Sequence, residues 1–303
     1  MFVIEVKNLS KKYKNFHAVN NLSFNIEKNS VVGLIGPNGA GKTTTMKMLM
    51  GLIKKSEGSI KILGKKIEYG VIPDDVIYLQ DVPGFYDFLT AEEYLSFILN
   101  INKNKLNEEK IKETLKLVGL YDDKDKRIGK FSRGMRQRMG IAASIVSDPK
   151  ILILDEPVSA LDPIGRKEIF DQISKLKEKM TIIFSTHILD DVERVCDKVI
   201  LINNGVKIKE GTIKAIKKEY ITNVIEVIFS SKKDLNEFKK KIEINDGIDF
   251  FINELKVIIN DNDINSVSKR LFSFILENNI AIESFIVKSP SLEEIFIKEV
   301  VKR

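Results

Sequence analysis

One segment, Gly36–Thr43, constrains the fold of this chain more than any other stretch. It matches the pattern G-x-x-x-x-G-K-S/T at every fixed position, between an apolar run, Val31–Ile35, and a helical stretch, Lys42–Met50. A buried strand, a glycine-rich turn and a helix in this order are typical of a phosphate-binding loop. We interpret the segment as such a loop; the alternative is a glycine-rich turn that carries a lysine by chance.

The chemistry predicted for this loop follows from its residue types. The glycines Gly36, Gly39 and Gly41 allow the backbone to bend tightly. Backbone N–H groups of the turn, and the N-terminus of the following helix, then point towards a bound anion. We expect the Lys42 side chain to reach the β- and γ-phosphates of a nucleotide and the Thr43 hydroxyl to bind Mg²⁺.

The composition is that of a folded protein. Its 303 residues, 43% of them hydrophobic and 30% charged, are enough for one large domain or two smaller ones. The net charge of +6 permits contact with an anionic membrane face or nucleic acid but requires neither. Because Cys196 is the only cysteine, an intrachain disulfide is excluded, and a reducing compartment fits.

The sequence also argues against a secreted or membrane-spanning chain. Charges occur too early in the N-terminal residues for a signal peptide. The apolar runs are far shorter than the ~18–20 residues of a membrane span. If this protein acts at a membrane, we expect another chain to cross it.

Strand and helix patterns alternate through the first two thirds of the chain. Residues 2–7 and 22–27 alternate apolar and polar side chains, which is typical of half-buried antiparallel strands. Helical periodicity fills most of an insert from about residue 85 to 146, and Thr90 with Glu93 predicts a capping box at its first helix. Further strands are predicted at residues 58–64, 76–79, 151–154 and 181–184.

The composition shifts near Ile221, so we expect one domain over residues 1–220 and a second over 221–303. The second is predicted to be a small α+β domain. Its expected strands cover residues 224–230, 249–259 and 281–287, and its expected helices cover 232–242, 264–278 and 291–302. Ser291 and Glu294 are spaced as a capping box for the last helix.

Two carboxylates end a continuous apolar strand. Asp155 and Glu156 follow Ile151–Leu154, and ligands bind at this edge of open α/β sheets. Asp155, with Thr43, is predicted to hold Mg²⁺ directly or through water, and Glu156 to polarise an attacking water as general base. His187, after the next strand, is predicted to bridge that water and the γ-phosphate. The alternatives are a surface turn for the acid pair and a surface histidine for His187.

Two other segments have alternative interpretations on their residues alone. Tyr13 is either an aromatic that stacks on a nucleobase or a half-exposed aromatic at a strand end. Ser132 and Gly134 lie where a helix is predicted to begin. Such a helix N-terminus favours anions, although Ser132 is equally suited to a plain N-cap.

Together these motifs resemble those of the ATP-binding subunits of ABC transporters. Over residues 1 to about 215 they occur in the order of that family. The ending Pro290–Phe296 resembles the accessory C-terminal domain of exporter-type ATPases. The matching segments are the adenine-stacking aromatic (Tyr13), Walker A (Gly36–Thr43), the signature loop in a variant common in drug and antibiotic exporters (Ser132–Arg136), Walker B with its catalytic glutamate (Ile151–Glu156), the D-loop (Ser159–Asp162) and the switch histidine (His187).

The resemblance implies a fold and a set of contacts. The implied fold is a RecA-like α/β P-loop domain with an antiparallel β subdomain and a helical insert, followed by a small C-terminal α+β domain. Glu156 and His187 are implied to be catalytic, and Thr43 and Asp155 to hold Mg²⁺. The residues implied to bind ATP are Tyr13, Gly36, Pro37, Asn38, Gly39, Ala40, Gly41, Lys42, Thr43, Thr44, Ser132 and Gly134.

Two positions depart from the family pattern. Arg133 occupies a position in the signature loop where glycine is usual, which puts close backbone approach there in question. The glutamine that usually follows the strand at residues 76–79 is displaced: the alignment places Asp81, and not Gln80, at its position. Either side chain is a candidate ligand of the metal or of its waters.

The resemblance implies that ATP hydrolysis powers export of an antibiotic, a peptide or an ion through a separate membrane-spanning permease. The phosphate loop of one subunit and the Ser132 loop of another would sandwich each ATP. We therefore expect a dimer, most simply a homodimer, at the cytoplasmic face of the cell membrane, with no nucleic-acid partner.

Two alternatives come from other functional classes. The first is a soluble ATPase of the same family that acts on ribosomes or DNA; such proteins usually carry two ATP-binding halves, long coiled coils or a zinc hook, which this sequence lacks. The second is a pseudo-ATPase that only binds nucleotide, against which Lys42 and Glu156 argue.

Overall fold

The structure, a computed structural model, describes residues 1–101, 106–159, 161–220, 224–242, 250–261, 263–288 and 291–301. It divides into two compact units, Met1–Ile213 and Lys214–Val301, each with its own hydrophobic core. The elements up to Thr212 are β1 (Phe2–Tyr13), β2 (Phe16–Glu27), β3 (Val31–Ile35), α1 (Lys42–Leu49), β4 (Glu57–Ile62), β5 (Lys65–Lys66), β6 (Val76–Leu79), α2 (Ala91–Ile101), α3 (Glu108–Leu117), α4 (Arg133–Ile145), β7 (Ile151–Asp155), α5 (Pro163–Leu176), β8 (Thr181–Thr186), α6 (Leu189–Val195), β9 (Lys198–Asn203) and β10 (Val206–Thr212).

A six-stranded sheet in the order β10-β9-β3-β8-β7-β6 forms the centre of the first unit. Its strands are parallel except for β10. Every residue of β3, β7 and β8 is buried, as expected of strands whose two faces are both covered. Because parallel strands share one carboxyl edge, the segments after β3, β6, β7 and β8 lie on the same side of the sheet.

A second sheet, β2-β1-β4-β5, is antiparallel and confirms the predicted subdomain. Its first hairpin is longer than the sequence indicates, since β1 extends to Tyr13 and β2 begins at Phe16, directly opposite it. The helical insert is confirmed as α2, α3 and α4 between β6 and β7. Its capping box is also confirmed, because the Thr90 N–H donates to Glu93 and the Glu93 N–H donates back to the Thr90 hydroxyl.

Within its described residues, the second unit contains four strands and several helices. Its elements, together with the helix that leads into it, are α7 (Ile213–Glu219), β11 (Val224–Phe229), α8 (Lys232–Ile242), β12 (Phe250–Asn253), β13 (Lys256–Asn260), α9 (Ile264–Glu277), β14 (Ile282–Lys288) and α10 (Leu292–Val301). The strands form an antiparallel sheet in the order β12-β13-β11-β14. Ile225, Val227 and Phe229 of β11 point towards a core shared with α8 and α9.

The prediction of a single strand at residues 249–259 is wrong. Residue 249 lies outside the described residues, and the rest forms the hairpin β12–β13, in which Asn253 pairs with Lys256. Glu254 turns the chain with a φ of 53°, a conformation that non-glycine residues rarely adopt. No glycine or proline marks this turn, so the apolar run reads as one strand.

Candidate functional site

The turn after β3 needs two of its glycines for packing. A side chain at Gly36 would bring its Cβ to 2.2 Å from the carbonyl oxygen of Ile202. At Gly41, where φ is 99°, a Cβ would lie 2.4 Å from the carbonyl oxygen of Ala18. Gly39 has a φ of 81° and open space around it, so it serves the backbone conformation alone. The loop therefore packs tightly against β9 and β2 at its two ends while its middle faces solvent.

Lys42 lies across this turn and is 6% exposed. Its Nζ donates hydrogen bonds to the carbonyl oxygens of Gly36, at 2.7 Å, and Pro37, at 3.2 Å, and lies 3.4 Å from the carboxylate of Glu156. These contacts fix the ammonium group at the mouth of the loop, where its positive charge favours binding of an anion. Thr43, the next residue, is exposed.

A cleft of about 340 Å³ runs along the loop. Phe16, 62% exposed, is the aromatic residue of its lining, and it was not among the candidates predicted from sequence. Tyr13, 45% exposed, lies across the hairpin from Phe16 with the Lys11 ammonium 4.6 Å from its ring centre. The stacking role of Tyr13 stays a prediction. The lining residues are Phe16, Ala18, Asn38, Gly39, Ala40, Gly41, Lys42, Thr43, Thr44, Asp81 and Glu156.

Asp155, at the end of β7, is 2% exposed, and both of its oxygens accept hydrogen bonds. The Ser185 hydroxyl donates to Oδ1 at 2.6 Å, and the Tyr78 hydroxyl donates to Oδ2 at 3.2 Å. Burial and the adjacent Asp155 carboxylate raise the pKa of the Tyr78 phenol well above its usual range, so Tyr78 remains a donor. No role for Tyr78 or Ser185 is evident from sequence, because a hydroxyl within an apolar strand does not reveal which neighbour it faces.

Glu156 turns away from Asp155 and towards the cleft. Its φ is 48°, and its N–H donates to the Ser185 hydroxyl at 2.9 Å. Its carboxylate lies between the Lys42 ammonium, at 3.4 Å, and Nδ1 of His187, at 3.2 Å. The structure thus brings together three of the residues predicted from sequence, with His187 half-exposed at the end of β8.

The two candidates after β6 occupy different environments. Gln80 donates from its amide to the carbonyl oxygen of Val82 at 2.8 Å, and it lines a groove between β6 and the helical insert. Asp81 lines the cleft beside the phosphate loop and accepts a hydrogen bond from the Ser159 hydroxyl at 2.8 Å. Contact of either side chain with a metal stays a prediction, and the geometry favours Asp81.

Ser132 is the N-cap of α4, where its hydroxyl accepts a hydrogen bond from the N–H of Met135 at 3.2 Å. Ser132 and Arg133 are exposed, and Gly134 lies in the first turn. The lining of the cleft includes none of these three residues, so their contact with ATP stays a prediction. In the predicted D-loop, Asp162 is the N-cap of α5, and Ala160 lies outside the described residues.

The donor set suits Mg²⁺ and a nucleotide. Thr43, Asp155 and Asp81 offer hydroxyl and carboxylate oxygens, which Mg²⁺ prefers. Within the described residues, no group of three or more histidine, cysteine, aspartate or glutamate side chains forms a metal cluster. Mg²⁺ usually retains waters and is completed by the phosphates of a substrate, so one or two protein oxygens are enough to hold it.

Comparison with known proteins agrees with this geometry. Residues 19–159 match the ABC transporter family, and residues 211–300 match the C-terminal domain of DrrA1-3-like ATP-binding proteins. The chain is 39% identical to the ABC transporter ATP-binding protein YxlF of Bacillus subtilis, over 98% of this chain and 99% of YxlF. The chain belongs to the ABC transporter ATP-binding proteins. As an ABC ATPase, it couples ATP hydrolysis to transport.

Two further members of the family are similar to this ABC ATPase. The bacitracin transport ATP-binding protein BcrA of Bacillus licheniformis is 35% identical, over 98% of this chain and 96% of BcrA. The structure of cbiO1 from Clostridium perfringens, part of the ABC transporter complex cbiONQ, is 31% identical with a TM-score of 0.63, over 72% of this chain and 92% of cbiO1. Among the described residues of the present ATPase, no helix has the length and apolarity needed to cross a membrane.

Proposed function

We propose that this ABC ATPase powers the export of an antibiotic through a separate membrane-spanning permease. Its C-terminal residues match the DrrA1-3-like domain, and its whole length is similar to a bacitracin transport protein. The observation that carries the catalytic part of the proposal is the placement of Glu156 between Lys42 and His187 at the mouth of the phosphate loop. The proposed domains are an ATP-binding domain, residues 1–220, and an accessory domain, residues 221–303.

The proposed chemistry assigns one task to each side chain. Bound Mg²⁺ would supply charge neutralisation at the phosphates, with Asp155, Thr43 and Asp81 as the residues available to hold it. Lys42 exchanges its contact with Glu156 for a phosphate oxygen. Glu156, released from Lys42, accepts a proton from the attacking water as the water oxygen bonds to the γ-phosphorus and ADP leaves. His187, which contacts the Glu156 carboxylate, bridges that water and the γ-phosphate.

A groove on the helical insert supports a permease partner. It has a volume of about 330 Å³ and lies between the end of β6 and the helices α2 and α4. Phe85 and Tyr94 pack edge to face in its wall, and Val82, Tyr86 and Phe88 nearby are more than half exposed. Exposed aromatic side chains around a concave surface are typical of an interaction site, and an amphipathic helix of the permease fits this shape.

The proposed active form is a dimer at the cytoplasmic face of the cell membrane. Ser132 is exposed at the N-terminus of α4 and is therefore available to face the phosphate loop of a second copy. The simplest arrangement is a homodimer with two equivalent sites, because most soluble oligomers are symmetric homo-oligomers.

Reconstitution in vesicles tests this proposal. The ATPase would be combined with a membrane protein encoded in the adjacent reading frame, and ATP-driven movement of bacitracin across the vesicle membrane would be measured. We expect transport with the wild type and none with Glu156→Gln as the matched control. Hydrolysis that is stimulated by ribosomes, without vesicle transport, would instead support the soluble alternative.

A further inference from the structure

The carboxylate of Asp155 is held by neutral donors. Among the described residues, the ammonium of Lys42, the buried cation of the phosphate loop, pairs with Glu156 and not with Asp155. The hydroxyls of Tyr78 and Ser185 donate hydrogen bonds to the Asp155 side chain, one to each oxygen. A carboxylate that is 2% exposed requires such donors, because burial of a charge without them is strongly unfavourable.

The hydroxyl protons of Tyr78 and Ser185 both point towards the carboxylate of Asp155. The Ser185 oxygen accepts from the backbone N–H of Glu156, so its own proton points to Oδ1 of Asp155. The Tyr78 proton points to Oδ2, since an ionised carboxylate only accepts. Each carboxylate oxygen has about two acceptor sites, so one remains on each oxygen for a metal ion or its water.

The register of the sheet fixes this arrangement. β7, which carries Asp155, lies between β6 and β8, which carry the two donors. Asp155 pairs directly with Ser185, and Tyr78 pairs with Ile153. Side chains on packed strands hold their geometry better than side chains on loops. The orientation of Asp155 is thus set before any nucleotide arrives.

We propose that Tyr78 is a positioning residue for Mg²⁺ binding. Together with Ser185, it acts by orienting the carboxylate of Asp155 towards the metal ion. The inference rests on the Mg·ATP site of the proposed function and adds the residues that aim its carboxylate. Loss of a hydrogen-bond partner behind a metal ligand usually lowers metal affinity about 10–100-fold. Tyr78 is also one of the residues that line the groove on the helical insert, so a permease helix seated there would lie beside the residue that orients the metal ligand.

The test compares Tyr78→Phe with Tyr94→Phe. Both substitutions remove one hydroxyl from a tyrosine that lines the groove, but of these two hydroxyls it is that of Tyr78 that donates to Asp155. Affinity for Mn²⁺ would be measured by electron paramagnetic resonance with one equivalent of a non-hydrolysable ATP analogue. Thermal unfolding would be followed in parallel. Ser185→Ala provides a second, independent variant.

We expect Tyr78→Phe and Ser185→Ala each to weaken Mn²⁺ binding about 10–100-fold, with metal-free nucleotide binding and the Tyr94→Phe variant unchanged. A Tyr78→Phe protein that melts earlier but binds Mn²⁺ as the wild type does would reduce Tyr78 to a structural role and overturn the inference. A wild type that binds no Mn²⁺ with the nucleotide would overturn the proposed function as well, which separates the two failures.

Discussion

Glu156 combines an uncommon backbone conformation with two charged or chargeable neighbours. Non-glycine residues at positive φ cost on the order of 1–3 kcal/mol, and such residues concentrate at functional sites. Here the φ of 48° turns the Glu156 side chain away from the buried Asp155 and towards Lys42. The conformation therefore separates two adjacent carboxylates, with Asp155 buried at the proposed metal position and Glu156 at the cleft.

Replacement of Glu156 by glutamine separates binding from hydrolysis. The amide keeps the shape of the side chain but cannot accept a proton from water. We expect the variant to bind Mg·ATP, to accumulate closed dimers, and to hydrolyse ATP about 10²–10⁴-fold more slowly. Phosphate release and analytical size-exclusion chromatography measure the two effects. Turnover close to that of the wild type in a clean preparation would remove Glu156 from the role of general base.

Substitutions of Asp81 and of Gln80 are expected to differ in their effect on the Mg²⁺ requirement of hydrolysis. Asp81 lines the cleft, and Gln80 is held by the carbonyl oxygen of Val82. A carboxylate is also a better Mg²⁺ ligand than an amide. We expect Asp81→Ala to raise the Mg²⁺ concentration for half-maximal hydrolysis more than Gln80→Ala does. Parallel Mg²⁺ titrations of the two variants decide this, and a larger shift for Gln80→Ala would place the family's glutamine position at residue 80.

The turn between β3 and α1 provides a matched pair of glycine substitutions. At Gly36, an added Cβ would meet the backbone oxygen of Ile202 at 2.2 Å, which no rotamer change can relieve. At Gly39, no atom lies within 4 Å, so alanine adds only the strain of a left-handed conformation, roughly 1–2 kcal/mol. We expect Gly36→Ala to abolish nucleotide binding and Gly39→Ala to weaken it modestly, as measured by fluorescence titration. Equal losses of nucleotide affinity in the two variants would show that the close packing of Gly36 against β9 is not the reason the loop needs glycine there.

Strands with continuous apolar runs could be predicted from sequence, because a buried parallel strand needs no polar alternation. β3, β6, β7 and β8 fall within a residue or two of their predicted positions. The hairpin β12–β13 could not, because Glu254 adopts its positive φ without a glycine to mark it. β9, β10 and α6 were not predicted at all.

The candidate site likewise contains residues that could be predicted from sequence and residues that could not. The phosphate loop and the acid pair carry fixed spacings that are visible in the sequence. Tyr78 and Ser185 join the site through strand pairing within the central sheet, and Phe16 joins it because β2, from the other sheet, packs against the phosphate loop. Sequence spacing does not encode which residues become neighbours in these ways.

Within the first unit, Ser132 is not part of the cleft that contains the phosphate loop. The cleft contains the phosphate loop, while Ser132 lies on the helical insert outside the cleft's lining. If a second copy supplies Ser132, each site of a dimer combines Lys42 of one chain with Ser132 of the other. Damage to these two positions on different chains would then fall on the same site.

Mixing two inactive variants tests this arrangement. Lys42→Ala removes the ammonium that is proposed to contact the phosphates, and Ser132→Arg is intended to block the surface proposed to face the nucleotide from the second chain. In a heterodimer with one substitution on each chain, one site carries both changes and the other is intact. With random exchange, half of the dimers are mixed, so we expect roughly a quarter of the wild-type rate if the sites act independently. Each variant mixed with itself serves as the control.

Whether the mixture regains hydrolysis depends on which chain supplies Ser132 to each site, and not only on whether the protein forms a dimer. Exchange of subunits must be shown directly, for example by energy transfer between labelled chains. Restored hydrolysis after exchange requires that the intact site be built from both chains, because neither chain alone carries an undamaged pair. A rate that stays at zero despite exchange would mean that Ser132 acts within its own chain, or that one intact site cannot turn over while the other is blocked.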